Sequence, residues 1–216
     1  MGAGRGRSRR AQAGGALTRS SCPNLPIVSR EEGVQQLSAV IGHPTECLAR
    51  AEIVIQQLEE EDSYRYVGEG SFRVTYKREG VVYKAPRDSR GSILECIVAN
   101  LNEGIAAQLQ WPIPMPQTEV IWHENGIPII MMEEIATNIP QTKLPDWAKT
   151  IDGLQAGRSI ATKKIVPYDL SEFFDITVDG KFIHRSPSNK QNIELLHQKK
   201  KIWHTSGAIR KALAQL

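Results

Sequence analysis

Gly68-Glu69-Gly70-Ser71-Phe72 places two glycines one residue apart between two segments of alternating character. Lacking Cβ atoms, such a turn lies close over phosphate groups and offers them backbone N–H donors. A plain glycine-containing β-turn accounts for the same pentapeptide. Downstream, Val81-Val82-Tyr83-Lys84-Ala85 sets one lysine in an otherwise apolar strand. An unpaired buried ammonium is costly, so Lys84 either meets an anion or lies on the outward face of an edge strand. The segment that follows supplies Glu95 as first candidate partner and Glu103 as second. An ammonium braced by a carboxylate is held ready for phosphate oxygens. Further on, 129–132 is an apolar run entering Glu133 and Glu134, which suits a crossing between two lobes or any buried strand that ends at the surface.

Two more carboxylates flank a later hairpin, Asp152 in Ile151-Asp152-Gly153-Leu154-Gln155 and Asp169 in Val166-Pro167-Tyr168-Asp169-Leu170. Aspartate beside a hairpin is commonly a turn residue. His43, His123, His184, His197 and His204 show no H-x-x-x-H spacing, and Cys22, Cys47 and Cys96 no C-x-x-C. This pattern argues against a zinc site or a disulfide framework and leads us to expect three free thiols. No Ser-His-Asp or Cys-His arrangement stands out. Lys199-Lys200-Lys201 beside Trp203 suits either a solvated helix face or phosphate and stacking contacts with nucleic acid.

The elements that must hold these residues follow from periodicity and punctuation. Ser29 with Glu32 three residues on has capping-box spacing and opens a helix carrying Val34, Leu37 and Ile41. A longer helix begins near Pro44, with Leu48, Ile53, Ile55 and Leu58 as its apolar side, and ends in the acidic run 59–62, read as a solvated terminus. The period then turns to alternation, giving strands at 64–67, 73–76 and 80–84. A helix over 92–110 carries Ile93, Ile97, Leu101 and Ile105, and strands at 118–122 and 127–132 flank a turn at 124–126. A last hairpin has arms at 156–160 and 164–168; from Phe173 a short hairpin around Asp179-Gly180 precedes polar helices.

The chain has 216 residues, Lys+Arg 27 against Asp+Glu 24, a net charge of +3 and 40% hydrophobic residues. That composition excludes collagen-like and wholly disordered chains. No apolar run approaches the roughly 20 residues of a membrane helix, and the start lacks the apolar segment of a secretory signal. The expected location is cytoplasmic, with no membrane partner. Arg5, Arg7, Arg9, Arg10 and Arg19 meet no acidic residue, and their Gly-, Ala- and Ser-rich surroundings offer nothing for a core. Residues 1–25 are therefore expected to be a disordered basic arm, either a solvated tail or a weak contact for nucleic acid or an acidic surface.

In this order, a glycine-rich hairpin, a strand lysine, a helix glutamate and two strands ending at a hinge resemble the protein-kinase-like fold over about residues 64–135. The loop at 68–72 resembles the start of that family's G-x-G-x-x-G-x-V, and Val81-Val82-Tyr83-Lys84 resembles its V-A-I-K. The third glycine is absent: its place falls on Arg73 or on a one-residue deletion. The resemblance implies an α+β, two-lobed fold, with a helical extension at 26–62, an N-lobe of small antiparallel sheet at 63–135 and a reduced C-lobe at 136–216. It implies ATP and Mg2+ as cofactors, with Gly68, Gly70, Ser71, Lys84 and Glu133 around the nucleotide. Lys84 braced by Glu95 would hold the phosphates, Asp152 would take or orient the acceptor's proton, and Asp169 would bind the metal with Gln155 in place of the family's Asn. A second alignment, with Asp169-Leu170 at the catalytic loop, puts Phe174 and the neighbourhood of His184 at metal positions, and neither suits a hard cation.

No H-R-D-L-x-x-x-N and no A-P-E is present, and only residues 136–216 follow the hinge. The resemblance is thus to a compact kinase-like protein of the sort bacteria and their phages encode. The implied activity is phosphoryl transfer from ATP to a protein or small-molecule hydroxyl. A pseudokinase serving as an interaction module and a nucleic-acid-binding protein using the basic arm are the alternatives.

Overall fold

Ser29 caps the first helix as its spacing predicts, its Oγ accepting from the Glu32 backbone N–H at 3.2 Å. In the computed structural model, which describes residues 25–88, 92–109, 111, 113–150, 155–170 and 206–214, the chain is α+β. The order is β1 (Ile27–Val28), α1 (Arg30–Val40), α2 (Pro44–Glu60), β2 (Arg65–Glu69), β3 (Arg73–Arg78), β4 (Val81–Pro86), α3 (Ile93–Gln108), β5 (Thr118–His123), β6 (Pro128–Glu133), β7 (Ile135–Ala136), β8 (Ala156–Ser159), β9 (Ile165–Pro167) and α4 (Ser206–Leu213). Short 3-10 turns at Gln141–Lys143 and Asp146–Thr150 occupy the Pro- and Thr-containing stretch.

Six strands form one antiparallel sheet in the order β1-β5-β6-β4-β3-β2, and β7-β8-β9 form a second. Alternation decides the faces of the first sheet. Val74, Tyr76, Tyr83, Ala85, Ile129 and Met131 turn into the main core, while Ile130 and Met132 join a smaller cluster with Ala106 and Leu170. The two shortest strands, β1 and β7, have too few residues to show a period and were not legible from the sequence.

Residues of α1 and α2 share that main core with the sheet. The buried stripe of α2 is Cys47, Ala51, Val54 and Leu58, whereas Ile53 is 46% exposed. Of the apolar side expected from the sequence, Leu58 is in the core and Leu48 and Ile55 pack against it, so only Ile53 was misplaced, while the small Cys47 and Ala51 were overlooked. The acidic end of α2 is not wholly solvated either, because Glu59 accepts from the Tyr76 hydroxyl at 2.9 Å. Cys47 and Cys96 are buried free thiols; Cys22 and the hairpin expected around Asp179-Gly180 lie outside the described residues. The last described segment, α4, packs on α3 and buries Ile209, Ala212 and Leu213, so it is a core helix rather than a polar one.

The N-terminal helices are clamped to the β5–β6 hairpin. Arg50 donates to the Asn125 carbonyl at 2.7 Å, and the Asn125 amide returns a bond to the Arg50 carbonyl at 2.9 Å. Gly126 turns with φ +88°, and a Cβ there would meet the Leu37 nitrogen at 2.6 Å. The imidazole of His123, 1% exposed, accepts from the Asn125 N–H at Nδ1, so the ring proton sits on Nε2 and is shared with Gln57 at 2.7 Å. Burial lowers its pKa from the ordinary value, although nearby Asn125 and Glu124 oppose the shift. Among the described residues, no helix is long and apolar enough to cross a membrane.

Two outcomes follow from this clamp. A Cβ on Gly33 would lie 2.5 Å from the Trp122 Cβ, so Gly33→Ala must displace a buried ring. Overpacking costs about 1–3 kcal/mol against about 1 kcal/mol regained in helix propensity, and chemical denaturation should show a net loss. For His123, a depressed folded pKa means that its contribution is complete above the unfolded value of about 6.5 and is lost as pH falls through the folded value. The thermal midpoint should therefore begin to drop as pH falls below about 6.5, and the drop should be smaller in His123→Gln.

Candidate functional site

Strand alternation carries Thr75, Val82 and Lys84 to the side of the sheet opposite the main core. There they line a cleft of about 550 Å³ between the two sheets, within the roughly 300–1,000 Å³ typical of ligand sites. The loop at 68–72 covers one side, Met132, Glu133, Ile135 and Thr137 form the back, and Gln155, Tyr168 and Asp169 arrive from the second sheet. Gly68, Gly70, Ser71, Lys84, Glu133, Gln155 and Asp169, singled out from sequence, are thus brought to one cleft. Asp152 lies outside the described residues.

At its floor Lys84, 8% exposed, donates to Glu103 Oε1 at 2.6 Å and to the Tyr168 carbonyl at 2.5 Å. An ammonium has three N–H bonds, and the third has no acceptor among the described residues. The partner is therefore the second candidate, Glu103, and not Glu95. Glu95 stands in the first turn of α3, eight residues or about 12 Å along the axis from Glu103, and it is outside the cleft lining. An acidic residue in a helix's first turn is stabilised by the local dipole and needs no lysine. A glutamate deep within the buried run from Cys96 to Ala106 does need a cation, and that was the signal in the sequence.

Glu103 is fully buried, and its second oxygen, Oε2, accepts from Arg73. The same guanidinium donates to Asp169 Oδ1 at 2.6 Å. Burial opposes the charge on Arg73, but the carboxylates of Glu103 and Asp169 outweigh it and raise the guanidinium's pKa above its ordinary value. Arg73, which from sequence was only a departure from a glycine pattern, is thus a member of the site. Asn100, also fully buried, was missed too: its amide donates to the carbonyls of Lys84 and Pro128, both at 2.9 Å, and fixes β4 and β6 on α3.

Glu133 has a connecting role. Its oxygens accept from the Gln117 backbone N–H at 3.0 Å and from the Ser159 hydroxyl at 2.7 Å, tying the first sheet to the second. The loop is held at its base by an ion pair between Glu69 and Arg87, and Gly70 donates to the Arg73 carbonyl at 2.8 Å. Neither Gly68 nor Gly70 has a positive φ, and a Cβ on either would meet nothing within 4 Å. The folded chain makes no demand for these glycines, although glycine weakens a strand.

Among the described residues, the donors present do not by themselves make a closed magnesium site. Asp169 already gives Oδ1 to a guanidinium, Gln155 offers only an amide, and among the described residues no group of three or more His, Cys, Asp or Glu side chains could hold a metal. Magnesium calls for near-octahedral oxygen ligands at about 2.1 Å. Compared with family models, curated proteins and solved structures, the chain gives no match.

If the two glycines serve something outside the chain, Gly68→Ala and Gly70→Ala should unfold within about 0.5 kcal/mol of the parent protein, as surface substitutions do. A loss several times larger in urea denaturation would show that the fold itself requires them.

Proposed function

We propose that the cleft binds the phosphates of ATP in a reduced kinase-like fold, with the six-stranded sheet as the smaller lobe and the β7–β9 sheet as part of a shortened second lobe. The observation that carries this reading is Lys84: a nearly buried ammonium, braced by Glu103, with one N–H left for the cleft, beneath a loop whose glycines nothing among the described residues requires. Backbone N–H groups of that loop and the Lys84 ammonium would cradle phosphate oxygens. Val82, Met132 and Ile135 supply apolar surface of the kind that receives a flat heteroaromatic ring.

The fuller reading is phosphoryl transfer to a protein or small-molecule hydroxyl. In it, Lys84 holds charge in place and Asp152 attends the acceptor. A second reading, a pseudokinase that keeps the cleft and acts as an interaction module, is favoured by the Arg73–Asp169 ion pair, which engages the carboxylate that would otherwise hold a metal.

Thermal unfolding with and without ATP tests the nucleotide reading. A ligand at a hundred times its dissociation constant stabilises the folded state by about 2.7 kcal/mol. The midpoint should rise for the parent protein, and the rise should vanish in Lys84→Ala measured against its own ligand-free midpoint. An unmoved midpoint at millimolar ATP would overturn the reading.

A further inference from the structure

The fourth charge of the site changes what form of nucleotide it should take. Among the described residues, Lys84 and Arg73 bring two positive charges and Glu103 and Asp169 two negative ones, joined by three ion pairs. Arg73 is 7% exposed and reaches the cleft from the first position of β3, directly after the glycine loop. A guanidinium is always charged, and its planar fork fixes direction as well as charge. With one arm on a fully buried carboxylate, it cannot leave Asp169 without reorganising the floor of the cleft.

We propose that Arg73 is the built-in cation of this site, standing at Asp169 where a divalent metal would stand, so that the cleft takes nucleoside di- or triphosphates directly, without a divalent cation. This rests on the nucleotide reading and specifies its ligand: the metal-free nucleotide. The metal ion's work in such a site is to bring positive charge against the phosphates and to link them to an acidic side chain. A guanidinium held by Asp169 brings its charge to the cleft at a fixed position, and it meets phosphate oxygens with matching geometry. A divalent ion approaching Asp169 would face that charge and would have to displace it. Metal and nucleotide are therefore in competition: magnesium that chelates the phosphates in solution withdraws the ligand, so by linkage it should lower the apparent affinity for the nucleotide.

Calorimetric titration of the full chain with ATP and with ADP, in EDTA and in excess magnesium chloride, decides the matter. The apparent dissociation constant should be at least about tenfold smaller in EDTA than in excess magnesium chloride, where the metal holds most of the nucleotide. Arg73→Met should weaken binding in EDTA by about tenfold or more, as expected for loss of a charged phosphate partner, and Arg73→Lys, which keeps the charge without the fork, should retain part of it. The parent protein alone is sufficient if Arg73→Met does not fold. Binding that is equal in the two buffers, or tighter with magnesium, would overturn this inference and leave the nucleotide reading standing. An absence of binding in both buffers would overturn the nucleotide reading and this inference with it.

Discussion

A carboxylate with no exposure cannot stand alone, and Glu103 is such a group. Its two oxygens claim two different cations, Lys84 from β4 and Arg73 from β3, so one side chain of α3 fixes the register of the helix against two neighbouring strands. Removing one member of a buried pair costs about 3–5 kcal/mol, because the other is left charged without compensation. That penalty makes the arrangement specific: few other placements of α3 on this sheet satisfy all three charges at once. Through Arg73 the constraint extends to Asp169, and through Lys84 to the Tyr168 carbonyl, which places the end of the second sheet over the first.

The helix that carries Glu103 is buried on nearly every side. Ile97, Leu101 and Ile105 face the main core, Ala106 reaches the smaller cluster, and α4 closes over it from the far end of the chain. In such a helix, backbone register is set by polar groups as much as by apolar ones. Asn100 bonds the carbonyls of Lys84 and Pro128 in the same stroke, linking two strands that are neighbours in the sheet. The cleft floor is thus tied from several elements, and its cover is a turn whose base carries the Glu69–Arg87 ion pair and backbone bonds from Gly70 to the Arg73 carbonyl and from Arg87 to the Phe72 carbonyl. A charged floor under a glycine-containing turn is the division that the proposed phosphate binding would use: preorganised charge on one side and backbone without side chains on the other.

The period of the sequence was enough to find most of the long elements. Ile93, Ile97, Leu101 and Ile105 are all buried, as the helical spacing implied, and the strands at β3 to β6 fall within a residue or two of the alternating runs. It was not enough for α2, where Ala51 and Cys47 rather than Ile53 face inward, since packing rewards fit and not hydrophobicity alone. Strands of two residues have no period to display, so β1 and β7 emerge only when a partner strand is present.

For the site, residue types determined which groups could take part: a lysine in an apolar strand finds an anion if it is buried, and two glycines one residue apart can leave backbone open to a ligand. Those statements need no coordinates, because they follow from the cost of burying charge and from the missing Cβ. Which anion Lys84 finds was settled by tertiary structure: the apolar neighbours of Glu103 were a signal, but Glu95 and Glu103 both lie within the span of α3, and the helix's position on the sheet selects between them. The joining of Arg73 to Asp169 was likewise invisible. Ninety-six positions of chain separate them, and no local rule connects a strand's first residue with the end of a second sheet. Charges pair through space at about 3 Å, and the distances that decide their pairing exist only once the chain has folded.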